Sequence, residues 1–167
     1  MTATPRTRDN RPILLLISAL VIILDRLSKL WIVHHIRPGY AITIIPRVFR
    51  LTHVLNTGAA FSLFADSLSP LVVRNALIAF SVIAIIIVGI LLWRTGRDLT
   101  LTGVALALIL GGAIGNLYDR VHLSYVVDFL EVHIVHYHWP DFNLADSCIV
   151  IGACLLIIEI FRPQQES

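Results

Sequence analysis

Charge is scarce in this chain. Only 14% of its 167 residues are Asp, Glu, Lys or Arg, and 13 basic against 11 acidic residues leave a net charge of +2. So small a surplus, with its arginines scattered, excludes a nucleic-acid-binding surface, and no nucleic-acid partner is expected. Cysteine is nearly absent too. Cys148 and Cys154 stand six apart in one apolar run, so on a helix they face different ways; they read as small packing residues rather than a disulfide. No Gly/Ser-rich or Pro-rich linker and no internal repeat divides the chain, which leaves one domain over 1–167.

What the chain has in excess is apolar surface: 57% hydrophobic residues and a mean hydropathy of +0.82. Such a chain is at home in a membrane, with lipids as its surroundings. Four stretches approach the roughly 20 apolar residues that a spanning helix needs: 12–35, 71–93, 99–117 and 144–161. The expected fold is an all-α membrane protein of four transmembrane helices. The amino terminus mimics a secretory signal, with "ILLLISALVIIL" behind several arginines, but Asp25, Arg26 and Lys29 follow where a small-residue cleavage site would stand. It reads as a retained anchor.

Basic residues set the orientation. Arg6, Arg8 and Arg11 precede the first run, Arg94 and Arg97 sit in the short turn after the second, and Arg162 follows the last. By the positive-inside rule these ends, and both termini, are cytoplasmic. The longer segments 37–70 and 118–143 then lie outside the membrane's opposite face. The first contains "YAITII" and "VFRLTHVL", bounded by Pro38, Gly39, Pro46, Asn56 and Gly58, and predicts a small extracytoplasmic β-cradle between the first two helices.

Ionisable residues at the edge of a membrane are functional candidates because carrying them there is costly. Asp128, between Val127 and Phe129, and Asp146, in the first turn of the last apolar run, come from different segments that meet the same face. Two converging carboxylates in a low-dielectric pocket resist ionising together, so one keeps a proton while the other acts as a base toward water. That is aspartic-peptidase chemistry. Simpler roles exist for each acid alone. Asp146 stands three residues after Asn143, the spacing of a helix capping box, and Asp128 suits an ion pair with Arg120. Neither explains the pair.

Other polar positions admit structural readings. Asp25 and Lys29 have the i, i+4 spacing of an internal ion pair. Gly111 and Gly115 have small-xxx-small spacing for close helix packing. Asn116, Asp119 and Arg120 crowd the outer end of the third run, where Arg120 can snorkel to the interface or hold a substrate backbone. Around Asn56 and Gly58, small residues beside Phe61 and Phe64 suit either a turn or a close approach by a peptide. Ser28 and Lys29 diverge by about 100° on a helix, which excludes a Ser/Lys nucleophile. The histidines of "HIVHYH", His133, His136 and His138, lack a paired helix motif such as HExxH, and no metal is assigned. A proton- or ion-coupled transporter is the main alternative function, but transporters favour midplane sites and repeated halves. A non-catalytic assembly factor is the other. Cleavage of a lipid-modified precursor separates all three.

The pieces "DRLSK", "NTGAAFS", "GGAIGNLYDRV" with "VVDF", and "FNLADS" occur in that order, and together they closely resemble the lipoprotein signal peptidase (signal peptidase II) family of bacterial membrane aspartic peptidases. The resemblance implies that Asp128 and Asp146 are the catalytic pair and that Asn56, Gly58, Asn116, Arg120 and Asn143 line or support the site. Asp25 and Lys29 are further pattern positions. It implies four transmembrane helices and a cradle in a bacterial cytoplasmic (inner) membrane, with the site near the extracytoplasmic face. It also implies prolipoprotein substrates cut before a diacylglyceryl-modified cysteine, without metal or organic cofactor. A monomer suffices for such a site.

Overall fold

The computed structural model describes residues 9–58, 69–134 and 137–162. Four helices are present: α1 (Arg11–His35), α2 (Pro70–Thr95), α3 (Leu101–His122) and α4 (Leu144–Ile160). Their starts are written locally. Ser69, Thr100 and Asn143 are the N-caps of α2, α3 and α4 and accept from backbone N–H groups with their side chains, and Pro occupies the first turn of α1 and of α2. Between α2 and α3 the chain turns at Gly96, whose N–H closes on the Leu92 carbonyl at 2.8 Å. The same turn is tied to the start of α1 by Asn10, whose backbone N–H and side-chain amide both reach the Arg97 carbonyl at 3.1 Å.

Strands β1 (Ala41–Ile45), β2 (Phe49–Asn56), β3 (Val126–Ile134) and β4 (Tyr137–His138) form one antiparallel sheet in the order β1-β2-β3-β4. This corrects the expected cradle, which was confined to the connection between the first two helices. The segment between α3 and α4 supplies half of the strands, and β2 pairs directly with β3, Val54 opposite Asp128. A second correction concerns α3, which runs to His122 rather than ending at Leu117. Asn116, Asp119 and Arg120 are therefore helical, on one face at i, i+3 and i+4.

Helix α3 packs against each of the other three helices. Two apolar clusters hold the ends: Leu14, Leu92, Leu106 and Ala107 near the α2–α3 turn, and Ile32, Ile36, Val127 and Phe129 beneath the sheet. Glycines permit the close contacts between them. A Cβ on Gly111 would lie 2.7 Å from the Ser18 carbonyl oxygen and from Val21 Cβ, and one on Gly112 would lie 2.4 Å from the Ala145 carbonyl oxygen. Gly112→Val should force α3 from α4 at the residue beside Asp146, costing about 1–3 kcal/mol. Thermal unfolding in detergent, measured with turnover, tests this: a parent-like melting temperature would mean that the contact is not tight.

By length and composition two helices, α2 and α3, suffice to cross a bilayer, with mean hydropathies of 2.9 and 1.7. Helix α1 carries Asp25, Arg26 and Lys29 along its length, and α4 has only 17 residues. The outer face of α2 is exposed and apolar, including Phe80, Ile83, Ile86, Ile87 and Ile90.

Candidate active site

Where α3 ends, β3 runs through the sheet and α4 begins, ten charged or amide side chains knit together. Asp128 is buried on β3, 1% exposed. Its Oδ1 accepts from Asn143 Nδ2 at 2.7 Å and its Oδ2 from Asn56 Nδ2 at 2.8 Å. Asp146, partly exposed in the first turn of α4, accepts from Asn116 Nδ2 at 2.7 Å and from the Asn143 backbone N–H at 3.2 Å. Asn143 thus holds both acids. Its side-chain oxygen also accepts from the Asp146 N–H at 2.9 Å, which completes a capping box.

Capping and convergence are therefore one arrangement. The box turns the Asp146 carboxylate back toward the helix entrance, and the free Asn143 amide donors reach Asp128 and, at 3.2 Å, Asn116 Oδ1. The alternative role for Asp128, an ion pair with Arg120, is absent among the described residues: amides satisfy Asp128, and Arg120 Nη1 donates to its own helix at the Asn116 carbonyl, 3.3 Å away. Arg120 nevertheless lies near enough for its charge to act on both acids. Asn56 is fixed by accepting from the Gly58 N–H at 2.8 Å, and Gly58 has φ +102°, a backbone conformation that favours glycine. Phe61, Phe64 and the rest of 59–68 lie outside the described residues, as do His136, Arg6 and Arg8.

Beneath the acids is a charged layer. Lys29, 1% exposed, contacts Asp25 at 2.8 Å and Asp119 at 2.9 Å, and its third donor reaches Asn116 Oδ1 at 3.1 Å. Arg26 pairs with Asp119 at 2.5 Å while lying over the Tyr118 ring. Asp25 accepts the Ala145 N–H at 3.0 Å, so the first turn of α4 is anchored on α1. The expected Asp25–Lys29 pair is present, but it belongs to a larger group. Asp119, fully buried, and Arg26 are the members that sequence reasoning left out of the site. Their spacings, Arg26 three before Lys29 and Asp119 three after Asn116, were the available signal.

Burial is the main force on the Asp128 carboxyl. It pushes the pKa up to about 6; the Asn56 amide opposes it, the negative Asp146 reinforces it, and the Asn143 amide and Lys29 oppose it. Across the sheet, Arg50 grips Glu131 through two hydrogen bonds and holds that carboxyl down at about 2.

A buried carboxylate and a partly exposed one, tied together by a shared asparagine, thus stand at one end of the apolar bundle. The family model for signal peptidase (SPase) II matches residues 17–162. Lipoprotein signal peptidases of Pseudomonas putida and Pseudomonas aeruginosa are 44% and 45% identical to the chain; the matches cover 95% of this chain and 92% of the former relative, and 89% and 88% for the latter. A solved bacterial membrane enzyme superposes with a TM-score of 0.84 at 28% identity, covering 96% of this chain and all of that one. The chain belongs to the signal peptidase II family, the aspartic-type peptidases that remove signal peptides from prolipoproteins.

Proposed function

We propose that Asp128 and Asp146 are the catalytic pair of this peptidase and that Asn56, Gly58, Asn116, Arg120 and Asn143 build the site around them. The observation that carries this reading is Asn143, which hydrogen-bonds both carboxylates from one cap position. The pair shares one proton. The anionic carboxylate takes a proton from water as its oxygen attacks the scissile carbonyl carbon, and the protonated partner donates to the carbonyl oxygen. As the tetrahedral intermediate collapses, the C–N bond breaks and the leaving amine receives a proton. Asp128, the more deeply buried acid, is the better keeper of the shared proton. Arg120, close to both acids, and the Asn56–Gly58 turn are placed to hold the substrate backbone.

The substrate is a prolipoprotein whose cleavage site precedes a diacylglyceryl-modified cysteine. Its acyl chains stay among membrane lipids while water reaches the acids at the surface. All four helices span the inner membrane as one monomeric domain: α1 offsets its charges within the Asp25–Lys29–Asp119–Arg26 group, and α4, at ~1.5 Å per residue, reaches about 25 Å. The termini and the α2–α3 turn face the cytoplasm, and the sheet faces outward. Asp25 and Lys29 support the site through Ala145 and Asn116. Cleavage of a diacylglyceryl-modified precursor by the purified protein, set beside an unmodified one, tests the assignment; equal cleavage of both would refute the lipid requirement.

Asp146→Glu separates catalysis from capping. A glutamate still suits the box and the positive end of the helix, so the fold should persist. The added methylene shifts the carboxylate by about 1 Å, enough to cost roughly a hundredfold in rate. A stable protein with severely reduced cleavage is expected; parent-like melting and turnover together would leave Asp146 as a cap alone.

A further inference from the structure

We propose that Glu131, His133 and His138, with Asp141 beside them, form a zinc site on the sheet, apart from the acid pair. Strand pairing creates it. His133 and His138 are direct cross-strand partners in the β3–β4 hairpin, and Glu131 lies two residues before His133 on the same face. In sequence these histidines lacked a partner motif; the hairpin supplies one from the strand itself. The three ligand atoms lie within 4.8 Å of one another.

The geometry is convergent. His133 Nε2 and His138 Nε2 stand 2.9 and 2.8 Å from the same oxygen, Glu131 Oε1, which also receives Arg50 Nη2 at 2.6 Å. Three donors crowd one carboxylate oxygen, whereas a carboxylate offers about two acceptor sites on each. One cation in place of the two imidazole protons satisfies both rings and the oxygen together. Ligand atoms around tetrahedral zinc stand roughly 3.3 Å apart, given Zn–N and Zn–O distances near 2 Å, so small side-chain movements suffice. Asp141 Oδ2 lies 3.9 Å from His138 Nε2, close enough to become the fourth ligand. Both carboxylates are already oriented from behind: Arg50 Nε holds Glu131 Oε2 at 2.5 Å, and the Thr52 hydroxyl donates to Asp141 Oδ1 at 2.6 Å. Such partners fix the ligand side chains for a metal. Two imidazoles and two carboxylates suit zinc better than magnesium or calcium, which prefer all-oxygen shells.

Zinc here would clamp β3 and β4 to the loop that carries Asp141, two residues before Asn143. It is a stabilising site and takes no part in bond cleavage. The test uses the full chain in detergent, stripped with a chelator and titrated with zinc sulfate by calorimetry, with thermal melting in parallel. One saturable equivalent and a raised melting temperature are expected. In His133→Gln/His138→Gln the equivalent should weaken by at least about tenfold and the thermal gain should vanish, and Thr52→Val should weaken it by about tenfold. Should the double variant fail to fold, Asp141→Asn replaces it, with X-ray absorption at the zinc edge of the parent reading two imidazole ligands. Zinc-stripped parent should keep its turnover. Absence of saturable binding, equal uptake by parent and variant, an edge spectrum without imidazole, or loss of turnover on stripping would each overturn the proposal.

Discussion

Asp128→Asn and Asp146→Asn are each expected to abolish cleavage of a lipid-modified precursor, by roughly four orders of magnitude, in proteins that still fold. Members of a catalytic unit fail together, so the double variant should be little worse than either single one. A folded single variant retaining near-parent turnover would remove the acid pair as the mechanism. Stability gives an independent readout for Asp128. Its carboxyl is raised from 3.8 to about 6 in the folded protein, so the native state binds that proton more tightly than the unfolded chain. The group therefore imposes no penalty below pH 3.8. A penalty builds as pH rises through about 6 and then stays near 3 kcal/mol. Relative to Asp128→Asn, the parent should lose about that much between pH 3.5 and pH 7. Unfolding curves of both proteins in detergent across this range measure it, and a pH-independent difference would mean that burial does not govern this carboxyl.

Lys29→Met should be the most damaging change outside the acid pair. It leaves Asp25 without its cation and Asp119 with Arg26 alone, and stripping one partner from a buried ion pair costs about 3–5 kcal/mol. It also withdraws a hydrogen bond from Asn116, which orients Asp146. Turnover should fall along with the melting temperature. Adding Asp25→Asn should recover part of the stability, because the orphaned negative charge is gone. A Lys29→Met protein as stable as the parent would show that the buried Asp25–Lys29–Asp119 group does not hold the helices together.

Several features of this arrangement were legible in the residues. Asp128 and Asp146 stood out because carboxylates are costly beside Val127, Phe129 and the apolar run of α4, and the N-x-x-D spacing gave the cap correctly. Glycine spacing placed the close face of α3. Less legible was anything set by partners distant in sequence. Strand β3 reads as loop because its neighbour β2 lies some 70 residues earlier, Val54 opposite Asp128, and alternation along one strand carries no trace of that pairing. Helix α3 overran its expected end because Tyr118–His122 are polar enough to resemble a surface loop, yet Asp119 is buried by Arg26 and Lys29. Arg120 looked like the natural mate of Asp128; two amides took that place, and amides leave no charge pattern to read.

Asn143 carries a consequence for how the enzyme fails on heating. A helix end can open locally at less cost than melting the whole domain, even where, as here, a capping box and the Asp25–Ala145 bond hold it. Here that turn also holds both acids, so on the proposed mechanism its opening should end cleavage. Activity should disappear several degrees before the bundle itself comes apart, and amide exchange at Ala145 and Asp146 should report the lower of the two temperatures. On the proposed mechanism, heat should act on this protein first as an inhibitor and only later as a denaturant.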